Sequence, residues 1–219
     1  MAGSPNGELT RRERERLMHR QQMLEAAERV FVRDGYQGAT IERTAQEADF
    51  AVGTLYNFFE SKEKLFGEVM RRIVNEALEQ VEARVFSEAD PKKALEELIR
   101  IRIMYPLEHR GFARVFMDVA PGSSLDLASG LPPECRALYE GYLSSVAELI
   151  RRGIRSGVFR KAEPLYVALC LEGAFRAIGM HWTLNESGEP SPGTVDEVVG
   201  ILMGMVCRPQ APFEEGCTG

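Results

Sequence analysis

Paired cysteines, catalytic signatures, long apolar runs and strand-type alternation are what this chain does not have. Its four cysteines, Cys135, Cys170, Cys207 and Cys217, lie far apart with no C-x-x-C pair. That spacing offers neither a zinc site nor a disulfide framework and suits ordinary buried or tail thiols, so no metal or cofactor is expected. No uninterrupted apolar stretch is long enough to cross a bilayer, and the N-terminus is polar and then arginine-rich rather than signal-like. A cytoplasmic protein with no membrane partner is the expectation. G-x-S-x-G, H-E-x-x-H and a phosphate-binding glycine loop are missing, and three scattered histidines define no triad, so the chain is not expected to be an enzyme.

Apolar residues at three- and four-residue spacing are what the chain does have, and they predict an all-α fold. The 44% apolar content of 219 residues can fill the core of one large domain or two modest ones. The net charge of −6 argues at first against a nucleic-acid partner, but its distribution matters more than its sum. Within Thr10–Arg20, five arginines face two glutamates, a basic start that is either a solvated helix end or an arm along DNA.

Residues 1–9 and 209–219 are predicted tails. Leu17, Leu24, Ala27 and Phe31 predict a helix over 10–33 ended by Gly35 as a left-handed cap. Within 40–62, Thr40 can cap a helix from Ile41 to Ala48, residues 49–51 form a tight turn, and Val52 opens a second short helix to about Phe59. Ile41, Ala45 and Ala48 make a thin inner stripe that lets a second helix cross closely, while Leu55 and Phe59 fill the crossing. Two short helices and a tight turn read as a helix-turn-helix, so 10–61 is predicted to be a three-helix DNA-binding domain. Ser61 caps a long helix to about Phe86. Further helices are predicted from Pro91 to a kink or stop at Pro106, over 111–119, 134–156 and 164–185, and from a Thr194 cap onward. The stretch PGSSLDLASGLPP at 121–133 is the predicted mobile loop, and 62–208 is expected to form a helical ligand-binding and dimerisation domain.

Gly35-Tyr36-x-Gly38-Ala39-Thr40 followed by Gly53-Thr54-Leu55-Tyr56-Asn57-x-Phe59-x-Ser61-Lys62 resembles the TetR family of bacterial one-component regulators over roughly residues 11 to 70. The resemblance implies that Tyr56 and Lys62 hold phosphates and that Thr54 and Asn57 reach bases, as asparagine can with adenine. Thr40, Arg43, Ala51, Val52 and Gly53 complete the candidate DNA surface, with Gly53 allowing close backbone approach. Three positions depart from the family pattern: Asp49 where the turn usually carries glycine, Ala51-Val52 where a polar opening is common, and Thr44 where a core aliphatic is usual.

Two further sets of residues follow. The last two helices are apolar over more than one face: either Gly173, Ala177 and Gly179 with Val199, Leu202 and Val206 pair with a second copy as a four-helix bundle, or both are central core helices of a single chain. A homodimer also presents two reading helices to a palindromic operator. Tyr105, Phe112, Phe116, Met117, Tyr139, Tyr142, Phe175 and Trp182 are candidate walls of an effector pocket, with Arg114, Asp118, His109, Glu172 and Arg176 as polar groups; Glu172 and Arg176, one turn apart, can instead pair with each other. The expected protein is a homodimeric repressor that binds a double-stranded operator and is released by a largely apolar small molecule. The alternatives are an all-helical small-molecule binder or enzyme without DNA function, and a ligand-independent regulator.

Overall fold

A computed structural model describes residues 9–119, 132–185 and 189–208, with backbone alone for Met117, Asp118 and Glu134. Both predicted tails beyond Leu9 and Arg208, and the 121–133 stretch up to Leu131, lie outside the described residues. Among the described residues there are nine α-helices: α1 Arg11–Gly38, α2 Ile41–Glu47, α3 Val52–Tyr56, α4 Lys62–Val81, α5 Pro91–Glu108, α6 Arg110–Val119, α7 Pro133–Arg155, α8 Pro164–Leu184 and α9 Pro192–Val206. A π-helical segment, Glu82–Phe86, continues α4. The one extended pairing among the described residues is a single bridge between Phe159 and Cys207. None of the described helices is long and apolar enough to cross a membrane.

The chain divides into two compact units, Met1–Asn75 with Arg110–Leu138, and Glu76–His109 with Tyr139–Gly219. In the first, α1 is started by a capping box: the Thr10 hydroxyl accepts from the Glu13 backbone while the Glu13 carboxylate accepts from Thr10. Gly35, with a φ of 68°, interrupts this helix where the sequence placed its end, and one further turn follows to Gly38. Met23, Ala27, Val30 and Phe31 are buried, and Phe31, Tyr36, Phe66 and Phe112 form an edge-and-stack cluster. Gly111 of α6 lies against Val32, where an added Cβ would come within 2.6 Å of a valine methyl.

The second unit is built around α5, which packs on α8 and α9. Asp90 caps α5 and Pro91 occupies its first turn. Pro106, expected to kink or stop this helix, sits in its last turn, where it lacks the N–H that would bond the Arg102 carbonyl, and α5 ends two residues later at Glu108. The α9 cap is Ser191 rather than Thr194: the Ser191 hydroxyl accepts from the Thr194 backbone. At the end of α7, Gly157, with a φ of 80°, reverses the chain and lays fully buried Phe159 on Gly153.

Candidate nucleic-acid interface

Thr40 caps α2 by accepting from the Arg43 backbone at 3.2 Å. Ile41 and Ala45 are buried and Ala48 partly so, and Leu55 and Phe59 are buried against them, as their spacing predicted. Thr44 is buried at a position where an aliphatic would be ordinary, and its hydroxyl donates back to the Thr40 carbonyl at 3.1 Å, so no polar group is stranded. Asp49 carries the turn with a φ of 60°, a left-handed conformation that aspartate tolerates better than most residues. The second helix is shorter than expected and stops at Tyr56. Asn57 to Ser61 then form a turn that sends Phe59 to the core and lets the Ser61 hydroxyl cap α4 at Lys64.

The candidate DNA residues all belong to the first unit. Thr40, Arg43, Ala51, Val52, Gly53, Tyr56 and Asn57 are exposed, and Thr54 is half-buried. Nothing lies within 4 Å of where a Gly53 side chain would begin, so no packing within the fold demands a glycine there. Lys62 is less free than expected: its ammonium donates to the Tyr36 carbonyl at 3.1 Å and sits 4.6 Å from the centre of the Tyr36 ring.

Three acids of this unit had no signal in the sequence, because each has a partner from another element. Glu47 joins Arg29 at 3.0 Å and Arg33 at 2.8 Å, Arg33 joins Asp34 at 3.0 Å, and Asp34 joins Arg43 at 3.0 Å. The Tyr56 hydroxyl donates to Glu42 at 3.4 Å. Arg33 first, then Arg43, holds the Asp34 carboxyl below its ordinary range. Glu42 is lowered by its own backbone N–H, then by the hydroxyls of Thr40 and Tyr56.

Residues 23–69 match the family model described as bacterial regulatory proteins, tetR family. The chain belongs to the TetR family. It is 24% identical to the fatty acid metabolism regulator protein of Bacillus subtilis over 83% of this chain and 92% of that protein. It is 31% identical to the transcriptional repressor NicS of Pseudomonas putida over 64% of this chain and 66% of that one. Among solved structures it resembles Bacillus subtilis FadR in complex with stearoyl-CoA, with a TM-score of 0.70, 21% identity and coverage of 84% and 97%. A Saccharomonospora viridis transcriptional regulator in complex with choline gives a TM-score of 0.70, 25% identity and coverage of 88% and 100%. The chain is therefore a DNA-binding transcriptional regulator, and α2–α3 lie within the matched region.

The second unit of this TetR-family chain corrects several sequence expectations. Tyr105, Tyr142, Phe175 and Trp182 are buried in it and Tyr139 is half-buried. Phe112 and half-buried Phe116 belong to the first unit, where Phe112 stacks on Phe66 as a core ring, and the Met117 side chain lies outside the description. Glu172, 2% exposed, does not pair with Arg176. It receives Arg102 from α5 at 2.9 Å and the Tyr142 hydroxyl from α7 at 2.5 Å, with the guanidinium 5.3 Å from the Tyr142 ring centre. Burial opposes the Arg102 charge, but Glu172 outweighs it and the guanidinium pKa rises. The Arg102 Nε is buried without a hydrogen-bond partner among the described residues.

The expected dimer residues are also partly misplaced. Val199, Leu202 and Val206 point into the core of the unit, and Gly179 is covered by Pro106, whose ring would lie 2.9 Å from an added Cβ. Gly173 and Ala177 are exposed as expected, within an apolar stripe of α8 that includes Leu165, Tyr166, Leu169 and Leu184. Beyond its charged first turns, the outward residues of α9 are Gly200, Ile201, Gly204 and Met205.

Proposed function

We propose that the protein is a homodimeric repressor that binds a near-palindromic operator through α2–α3 and is released by a small molecule held in the second unit. The observation that carries the DNA contacts is the exposure of Thr40, Arg43, Val52, Gly53, Tyr56 and Asn57 within the helix-turn-helix and its cap, with no internal packing role for Gly53. Arg43, Tyr56 and Lys62 serve the phosphates, Thr54 and Asn57 the base edges, and Ala51 and Val52 give apolar contact such as to a thymine methyl.

Dimerisation is supported by the apolar outer faces of α8 and α9, where Tyr166 is 68%, Ile201 59% and Met205 51% exposed in the single chain. Large apolar side chains gathered on one helix face call for a covering partner. A second copy also supplies the second reading helix, roughly 34–36 Å away, that an operator of two half-sites needs.

For the effector, Tyr139, Tyr142, Phe175 and Trp182 offer apolar walls, and the unpartnered Arg102 Nε offers a donor to an acceptor atom. Similar structures hold stearoyl-CoA and choline, which share little chemistry and leave the effector class open. The proposed release is a population shift in which the effector favours a state whose α4 presents the two reading units off the operator spacing. Gel retardation with the DNA upstream of the protein's own gene tests this. Sequence-specific retardation that falls steeply with salt, and that a ligand abolishes without dissociating the dimer, is expected. A well-folded dimer that retards no DNA at low salt contradicts it.

A further inference from the structure

The exposed surface of α2–α3 carries carboxylates in a region expected to meet a polyanion, and they are not idle. Asp34 Oδ2 receives Arg43 Nη1 at 3.0 Å, and the same guanidinium nitrogen donates to the Gly38 carbonyl at 3.2 Å. Glu42 Oε1 receives the Tyr56 hydroxyl in a longer contact of 3.4 Å. Thus two of the donors assigned to DNA, Arg43 and Tyr56, already reach oxyanions of this chain. A carboxylate and a phosphate present the same kind of acceptor to a guanidinium or hydroxyl.

Resting on the DNA-binding reading of Arg43 and Tyr56, we propose that Asp34 and Glu42 are built-in phosphate stand-ins that hold these donors in the free protein and must be displaced by a backbone phosphate. The exchange is easy at Asp34, because Arg33 keeps that carboxylate paired through bonds of 3.0 and 3.3 Å after Arg43 leaves. At Glu42 the displaced carboxylate stays beside the incoming phosphate and repels it. Both acids therefore limit sequence-independent affinity, which phosphate contacts dominate, and leave discrimination to the base-reading residues.

Glu47 provides an internal control. It carries the same charge on the same surface, but its partners are Arg29 and Arg33, neither of which is assigned to DNA. The test uses the full chain, a fluorescein-labelled mixed-sequence duplex of about 30 base pairs, and anisotropy titrations between roughly 50 and 200 mM salt. Asp34→Asn and Glu42→Gln are each expected to tighten binding about threefold, the scale of an exposed ion pair, and Glu47→Gln to leave it unchanged. Asp34→Asn should also steepen the salt slope by up to about one, since Arg43 then meets phosphate without a competitor. Circular dichroism melts establish that each variant is folded; if Asp34→Asn is not, the exposed Glu42→Gln carries the test. Folded variants that bind no more tightly, or a Glu47→Gln gain equal to theirs, overturn the proposal. A folded wild-type protein with no affinity for the duplex at the lowest salt overturns the DNA-binding reading itself.

Discussion

Gly53 separates folding from function at a single residue. An added methyl there meets nothing within 4 Å, and alanine is the better helix former by about 1 kcal/mol. Gly53→Ala should therefore leave the melting temperature level or slightly higher while weakening operator retardation, because in the proposed complex the methyl meets the approaching duplex backbone. Elsewhere the same substitution reports packing alone. Gly153→Ala would drive a methyl to 2.0 Å from the Phe159 ring and should cost about 1–3 kcal/mol in chemical unfolding, whereas Gly141→Ala on the same helix meets open space and should stabilise slightly. The sequence marked Gly35 as a helix cap, a local role, and Gly53 through the motif it shares with the family. It could not mark Gly153, whose need arises from a ring brought back by the Gly157 reversal. The Arg102–Glu172–Tyr142 group was equally invisible, since its three members come from α5, α8 and α7. Tyr142→Phe should cost about 1–2 kcal/mol, and Arg102→Met, which leaves an almost fully buried carboxylate uncompensated, about 3 kcal/mol.

At the scale of elements, the helix-turn-helix was legible because each of its signals acts within a few residues: the Thr40 cap, the small stripe of Ile41 and Ala45, the left-handed Asp49, the Ser61 cap. Only the end of α3 was overrun, because burial of Phe59 wins over helix continuation after Tyr56. For α8 and α9 the reading was ambiguous in principle. A helix apolar on two faces has no periodicity that tells core from outer surface. Val199, Leu202 and Val206 proved to face inward, and Ile201 and Met205 outward. The α1–α6 packing yields its own prediction. Gly111→Ala should loosen the first unit by about 1–3 kcal/mol through collision with Val32, and Val32→Ala should relieve most of that loss. A double-mutant cycle by thermal unfolding with no coupling would rule out this close contact.

For the whole molecule, two behaviours follow from its charges and its uncovered apolar faces. Burial alone would raise the Glu68 carboxyl, but Arg71 and Arg20 more than reverse this, and Arg33 lowers Asp34 and Glu47. Carboxylates lowered on folding contribute stability above their unfolded range near pH 4, and it is lost as pH falls through the lower folded values. The melting temperature should be level down to about pH 5 and fall below about pH 4; a protein that became more stable on acidification would contradict these pairings. Ile201→Glu and Tyr166→Glu should convert a dimer to monomers in sedimentation velocity, with operator affinity lost although the reading surface is intact. The most direct test of the whole account is enrichment of duplexes from a random-sequence pool by the full-length protein, repeated with Asn57→Ala. A near-palindrome with half-sites about one helical turn apart, at which Asn57→Ala relaxes the preference for particular base pairs, is predicted. No enriched sequence at low salt, or an enriched site indifferent to Asn57→Ala and to every substitution in α3, would contradict it.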